Sequence, residues 1–343
     1  MDVGCARFLS RRARRTELSE QSTTTIRPRV PDDDGQIVAI RNRIDPEYPP
    51  QTVEIFRHFA SLVPEGMHSE QWVAEQAGRI VGYALLEQAW WSKTPGVFEG
   101  KIRVDPPLWS EGIGAQLYDC LLQRVKELDA QKLYSGIREG DDHAERFVSR
   151  RGFTPTGRSH RMSRLDVRQA NLDGYEGLEE QLVRSGLQVK TVAEIGMDDE
   201  GFLHALHDLD SLSARDVPSS EPFEPAPFDI WLRDALTGPG SSPAWSWVAL
   251  DGKQPVGVAF LRRQGGNAAF NSYTGVHPAY RGRGVARALK QKTIDWAREN
   301  GVDYIYTGND VANQRMLSIN IRLGYQPLPA GVEVVKQLTP EAG

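Results

Sequence analysis

The sequence repeats itself, and the repeat is domain-sized. Displaced by 172 positions, Val276, Pro278, Gly284 and Leu289 fall on Val104, Pro106, Gly112 and Leu117. With the same displacement Tyr306, Gly308, Arg322, Gly324 and Pro327 fall on Tyr134, Gly136, Arg150, Gly152 and Pro155. Upstream the displacement becomes 175: WVA at 247–249 matches WVA at 72–74, and VG at 256–257 matches VG at 81–82. A register kept over both stretches is an internal duplication, and the change in displacement is a loop shorter by three residues in the second copy. Each copy is the length of a domain rather than of a solenoid repeat. The 343 residues therefore divide into a copy at 25–165, a connector at 166–186 and a copy at 187–343.

Both copies read in the same order. A short strand (TIRPRV at 25–30, LQVKTVAEI at 187–195) precedes a helical region broken by prolines (DPEYPP at 45–50, VPSSEPFEPAP at 217–227). WVAEQ-AGR-IVGYALLEQ and WVALD-GKQ-PVGVAFLRR follow. Their β-branched runs around Gly turns predict a strand pair, and a third strand ends at Val104 or Val276. Apolar residues at Ile113, Leu117, Leu121 and Val125, and at Val285, Leu289, Ile294 and Trp296, predict a helix of helical period. A strand (KLYSGI, DYIYTG), a helix stopped at Gly152 or Gly324, and a terminal hairpin complete each copy. The connector carries its own helix over Tyr175 to Arg184. The fold class expected is α/β (α+β) in two tandem units.

Composition removes several alternatives. No apolar run approaches the ~18 residues of a membrane helix, so no membrane span is expected. Two cysteines, Cys5 and Cys120, make neither a disulfide framework nor a metal spacing, which points to a cytoplasmic chain without a metal. The basic-then-polar stretch at 1–24 reads as a disordered tail; Asp2, Glu17 and Glu20 are out of place in a transit peptide. Basic residues lack the aromatic interleaving of a single-strand nucleic-acid binder.

Charge is unevenly placed in the second copy. Residues 194–234 hold eleven acids against Arg215 and Arg233, whereas 281–298 holds six bases against Asp295. The basic part contains VHPAYRGRGVARAL, 276–289. A helix entrance exposes unpaired N–H groups and the positive end of the macrodipole, and glycine lets a ligand approach that backbone. With Arg281, Arg283 and Arg287 around it, this is a diphosphate cradle. It follows the fourth strand rather than the first and has no Lys-Ser/Thr, which excludes dinucleotide and P-loop ATP sites.

The V-x-P-x-x-R-G-x-G-x-A run at 276–286, with N-x-x-M-x-x-x-N-x-x-x-G-Y at Asn313 to Tyr325, resembles the acyl-coenzyme A signature of the GNAT acyltransferase superfamily. From about 25 to 338 the chain is similar in plan to tandem GNAT proteins such as the mycothiol synthase group. The resemblance implies, for each copy, a mixed, mostly antiparallel twisted sheet flanked by helices. It implies acetyl-CoA as co-substrate, its pyrophosphate held by the amides of Arg281, Gly282, Arg283, Gly284, Val285 and Ala286. It also implies an amide near Val276 at the thioester carbonyl, Asn313 beside the pantetheine arm, and direct attack by the amine of a small-molecule acceptor. An internal pseudo-dimer makes a monomer expected, a homodimer being the alternative.

The pattern is incomplete. In the first copy Trp109 and Glu111 replace Arg281 and Arg283, and Asp141 replaces Asn313, so its cofactor motif is expected to be degenerate and the active lobe C-terminal. The family's tyrosine acid is Asn320 or Val148; its strand-four glutamate base is Phe270 or Phe98. Glu99 lies one residue from that position and is expected to point away unless a bulge re-aims it. Asp216, Glu221 and Glu224 lie where the roof of the acceptor pocket is implied, and are candidate catalytic carboxylates for a cationic amine. Tyr273, Tyr306, His204 and His207 are further candidates that read more simply as strand or packing residues. Two functions remain: an acetyl-CoA-dependent N-acetyltransferase, and a non-catalytic acyl-CoA sensor or scaffold.

Overall fold

The structure is a computed structural model and describes residues 23–338. All but the last two residues of the expected tail, and Cys5, lie outside the described residues. The first copy folds as β1 (Thr25–Pro28), α1 (Asp34–Ile44), α2 (Val53–Ser61), β2 (Ser69–Gln76), β3 (Arg79–Gln88), β4 (Val97–Val104), α3 (Ile113–Glu127), β5 (Lys132–Arg138), α4 (Asp142–Ser149) and β6 (Thr154–Asp166). A connector helix α5 (Leu178–Arg184) leads to β7 (Leu187–Thr191), α6 (Val192–Ile195), α7 (Glu200–Ala214), α8 (Phe228–Leu232), β8 (Ser241–Asp251), β9 (Gln254–Gln264), β10 (Ala268–Val276), α9 (Val285–Glu299), β11 (Tyr304–Asp310), α10 (Gln314–Leu323) and β12 (Gln326–Gln337). Up to the last helix of each copy the element order matches the sequence expectation. The connector helix starts later than expected because Gly177 is left-handed, φ 68°, and interrupts it after Tyr175.

The expected terminal hairpins are absent from the described residues. Each copy ends instead in one long strand, and the two strands are exchanged. The sheet runs β1-β2-β3-β4-β5-β12-β6-β11-β10-β9-β8-β7. β12 of the second copy inserts between β5 and β6, and β6 of the first copy pairs with β11. A hairpin would have left each lobe's last strand edge open; exchange pairs both edges and fuses the lobes into one twelve-stranded sheet.

Strand side chains alternate between faces, and each lobe is covered on both. On one face α3 buries Ile113, Leu117, Leu121 and Val125 against Ala84, Leu86 and Phe98. In the second copy α9 does the same with Val285, Leu289 and Ile294 against Ala259, Leu261 and Ile305. The opposite face, called the roof face here, carries α1 and α2 in the first lobe and α7 and α8 in the second. The C-terminal roof is a solid core of Phe202, Leu206, Trp231, Val258 and Phe260. The N-terminal roof buries only a small set around Ile37, Ile40, Val73 and Ile80.

All strand pairs are antiparallel except β4–β5 and β10–β11. These parallel pairs are short. β4 and β5 part after Glu99–Tyr134, and β10 and β11 part after Asn271–Thr307. Each lobe therefore has a V-shaped split that opens toward the helix entrance following its fourth strand.

Candidate functional site

At the C-terminal split, β10 runs into a 3-10 turn, Pro278–Tyr280, and an extended Arg281. Gly282 (φ 78°) and Gly284 (φ 88°, ψ −3°) are both left-handed, and Gly284 is the N-cap of α9. Only glycine takes these angles without strain, which explains the spacing. A Cβ on Gly282 would meet nothing within 4 Å, so the cradle's outer face is open. Among the described residues, the amides of Gly282, Arg283, Gly284, Val285 and Ala286 donate to no backbone acceptor. Those amides sit at the positive end of a fifteen-residue helix. The geometry fits a diphosphate.

The three arginines do not act alike. Arg281 forms a salt bridge with Asp216 at 2.5 Å and donates from Nε to the Val276 carbonyl at 3.1 Å. Arg287 bonds the Gly174 carbonyl and lies over the Tyr175 ring at 4.4 Å, holding the connector down. Arg283 lies over the Tyr280 ring at 5.0 Å and has no acidic partner among the described residues. Mobile positive charge at the cradle therefore comes from Arg283, not from all three as the sequence suggested.

The N-terminal lobe repeats this architecture with other residues. Trp109 Nε1 donates to the Val104 carbonyl at 2.8 Å, the bond that Arg281 makes in the second copy. Ser110 (φ 69°) and Gly112 (φ 84°) hold the same left-handed pair of positions. Carrying that conformation on a serine costs roughly 1 kcal/mol or more. The backbone cradle thus survives where its arginines are lost. Trp109 also stacks on His143, rings 9° from parallel. Within this lobe's split lies a cavity of about 230 Å³, bordered by Gly100, Ile102 and Arg103 of β4, Ser135 to Arg138 of β5, and Phe147 of α4.

A bulge between Asn271 and Tyr273 separates the two fourth strands. β4 has no such shift against β3. Without a bulge Phe98 packs against α3, and Glu99 faces Glu87 on the roof face. The expectation that Glu99 would point away without a bulge is corrected: regular pleating carries it to the roof, where its Oε1 accepts from Trp91 Nε1 at 3.0 Å. In the second copy the bulge places Phe270 beside Arg262 on the roof face, so that position holds no carboxylate.

The candidate carboxylates are spread out. Asp216 is bound to Arg281. Glu221 is 5% exposed and accepts from Lys132 (2.7 Å), Tyr134 (2.6 Å) and Thr94 (2.7 Å), all of the other lobe. Burial opposes its charge, yet these bonds together hold its carboxyl below the usual range. Glu224 pairs with Lys93 at 3.2 Å. The structure brings none of the three together. Asn313 caps α10 by accepting from the Met316 amide at 3.2 Å, and Asp141 caps α4 in the same way. Asn320 is buried and donates to Asn309. His204 stacks on Phe228 and His207 bonds the Ala226 carbonyl, both as packing residues; Tyr306 is buried.

Around Tyr273, already a candidate from the sequence, the structure adds Ser213 and Asp210 of the C-terminal roof. The Tyr273 hydroxyl lies 2.7 Å from Ser213 Oγ, two residues past the last β10–β11 pair. Burial pushes its phenol well above the usual range, so it stays protonated at neutral pH. Asp210, one turn earlier on α7 than Ser213, accepts from Trp231 Nε1 at 2.8 Å through one oxygen, while the other is buried without a partner. Burial pushes its carboxyl up to about 7. The sequence named Tyr273 as a candidate and placed Asp210 in an acidic run, but carried no signal for Ser213.

No curated protein matches the sequence. Among solved structures the chain is similar to a GCN5-related N-acetyltransferase from Sphaerobacter thermophilus, at 18% identity and TM-score 0.67 over 92% of this chain and 96% of that one. It is also similar to a tandem GNAT protein from the clavulanic acid biosynthesis pathway, at 17% identity and TM-score 0.69 over 93% and 100%. A third likeness is to the glucosamine N-acetyltransferase region of a fungal GH3 β-N-acetylglucosaminidase, at 15% and 0.63 over 92% of this chain and 38% of that one. At these identities the likeness is one of fold. The acetyltransferase (GNAT) family model matches twice, at 36–153 and 203–325, once on each copy and together over more than half the chain. The two matches fall on the two splits and the two glycine-bearing helix entrances described above, and the chain belongs to the acetyltransferase (GNAT) family.

Proposed function

We propose that this acyltransferase moves an acetyl group from acetyl-CoA directly to the amine of a small acceptor, with the C-terminal lobe as the acetyl-CoA lobe. The observation that carries this reading is the pair of left-handed glycines, Gly282 and Gly284, which leaves five consecutive amides free at the start of α9. When bound, acetyl-CoA supplies an acetyl group activated as a thioester. The amides of 282–286 and the Arg283 guanidinium hold its diphosphate. Past Asn271 the β11-facing edge of β10, including the stretch to Val276, is unpaired and lines the split. An amide there stabilises negative charge on the thioester oxygen.

The acceptor enters as an ammonium ion and must lose a proton before its nitrogen attacks. A C–N bond then forms, the C–S bond breaks, and the sulfur takes a proton. Phe270 and Asn320 occupy the places of the family's base and acid, so water accepts the ammonium proton. Tyr273, held as a phenol at the mouth of the split, donates toward the sulfur. The cavity in the N-terminal split supports a second reading, in which that lobe also takes part in substrate binding.

Free-thiol release from acetyl-CoA across a broad amine panel tests the reading. Wild-type protein is expected to release thiol with at least one amine, and Tyr273→Phe to lower kcat about tenfold or more while leaving the acetyl-CoA KM unchanged. Tight acetyl-CoA binding with no release for any amine would favour a sensor.

A further inference from the structure

The exchanged strand β6 carries a histidine of the first copy to the split of the second. His160 stands directly opposite Asp310 of β11, and Met162 opposite Gly308. Ile305 packs into the α9 core, so the alternate residues Tyr306, Gly308 and Asp310 face the roof, and His160 and Met162 share that face. Gly308 is the first residue of β11 past the last β10–β11 pair, Asn271–Thr307. A Cβ on Gly308 would run into Nε2 of His160, so the missing side chain is what lets the imidazole lie over the lip of the split. On the opposite lip, two residues past the same pair, stands Tyr273, whose hydroxyl also lies on the roof side, against Ser213 of α7.

The ring is exposed and makes no hydrogen bond or ion pair among the described residues; Asp310, across from it, is already held by Arg158 at 2.7 Å. On its other side β12 offers only Gly331, and Arg138, next along on β5, is paired with Glu47. Desolvation by its surroundings keeps the imidazole below the ordinary histidine range, against the pull of Asp310, so the ring is neutral at pH 7 with a lone pair available. An exposed ring that is nonetheless desolvated lies on the floor of a groove rather than on open surface. The first lobe has no equivalent. Displaced by 172, Gly308 falls on Gly136 and Asp310 on Arg138. The β12 residue opposite Arg138 is Gly331, and a Cβ on Gly136 would meet nothing within 4 Å.

We propose that His160, delivered by the exchanged strand, is the general base of the C-terminal acetyl transfer, acting on the acceptor's ammonium group through one water. This deepens the acetyl-transfer reading and rests on it. β10 supplies no carboxylate, because Phe270 holds that place, and β6 supplies the base from the other side of the same split. The ammonium gives one proton to the water, and the water passes one to the imidazole. The nitrogen then attacks the thioester carbon and the C–S bond breaks. The nitrogen sheds its second proton in exchange for the one that Tyr273 gives the sulfur, and the imidazolium returns its proton to solvent. The strand exchange therefore completes a site as well as a sheet.

The test uses the full chain, acetyl-CoA and a panel of free amino acids, polyamines and amino sugars, read by thiol release; an amine that the wild type acetylates is carried forward. His160→Gln is expected to lower kcat roughly ten- to a hundredfold while acetyl-CoA affinity by calorimetry and the melting temperature stay unchanged. The ratio of wild-type to variant kcat is expected to fall as pH drops through the His160 pKa, below the ordinary histidine range, because protonation removes the base that only the wild type has. The amine's own titration is common to both and cancels in that ratio. Added imidazole is expected to restore part of the activity of His160→Gly. Gly308→Ala, whose methyl must displace the ring, is expected to lower kcat by itself and to add little on the His160→Gln background. An unchanged kcat in His160→Gln, or a ratio flat with pH, overturns this proposal and leaves the transfer reading standing. Lost stability or cofactor affinity without rescue by imidazole also overturns it, assigning His160 to structure. Wild-type protein releasing thiol with no amine at all sinks the transfer reading, and this one with it.

Discussion

Arginine identity matters less at this cradle than arginine partnership. Arg281 is tied to Asp216 and Val276, and Arg287 to Gly174, so each already has a structural task. Arg283, stacked on Tyr280, is the one whose charge is available to a phosphate. Arg283→Glu is therefore expected to weaken acetyl-CoA binding about tenfold or more, with an unchanged melting temperature, as read by calorimetry and thermal unfolding. Unaltered affinity would place the diphosphate elsewhere. In the sequence these three arginines were indistinguishable, because nothing local shows that an aspartate 65 positions upstream lies against one of them. The same holds for Asp216, Glu221 and Glu224: an acidic run marks a charged segment but not the partner each acid meets.

Among the elements, the helix entrances are the part that sequence read best. Glycine spacing before an amphipathic helix is a local signal, and both entrances form where it placed them. Gly112 and Gly284 have nearly the same φ, 84° and 88°. Alanine at either is expected to cost roughly 1–2 kcal/mol of stability, seen as a fall in melting temperature of a few degrees. Gly284→Ala should also lower acetyl-CoA affinity, and Gly112→Ala should lower it only if the N-terminal lobe binds the cofactor as well. Equal losses of affinity from both would overturn the assignment to the C-terminal lobe. The fourth strands were read less well. A bulge in β10 and none in β4 reverses which side chains face the roof, and a one-residue shift in pleat leaves no mark in the pattern of β-branched and aromatic residues.

The whole molecule is held together by exchange. β6 and β12 each complete the other copy's sheet, and segments from each roof reach across. Residues 222–224 bond to 91–93, with a bridge at Ser92 and Phe223. Conversely, Arg233 donates to the Ser61 carbonyl and Arg262 lies over Phe59. Glu221 is the buried centre of this contact. Because its folded pKa lies below the ordinary glutamate value, its contribution is present above the unfolded pKa and is lost as pH falls through the folded one. Glu221→Gln is expected to cost about 1–3 kcal/mol at neutral pH, and less as the medium becomes acidic below the ordinary glutamate range. Melting curves taken from pH 7 downward check this; a pH-independent difference between variant and wild type would show that Glu221 is not the titrating link.

What the sequence by itself determined is the duplication, the order of elements in each copy up to its last helix, the two helix entrances and the family they signify. These rest on local periodicity, on glycine's freedom at positive φ, and on a register repeated along the chain. Only the tertiary structure decided which strand closes which sheet, which cradle arginine remains free, and that Glu221 of the second copy is buried against Lys132, Tyr134 and Thr94 of the first. Those properties depend on what lies opposite a residue after the chain has folded back on itself. Here the relevant neighbours come from distant positions and often from the other copy.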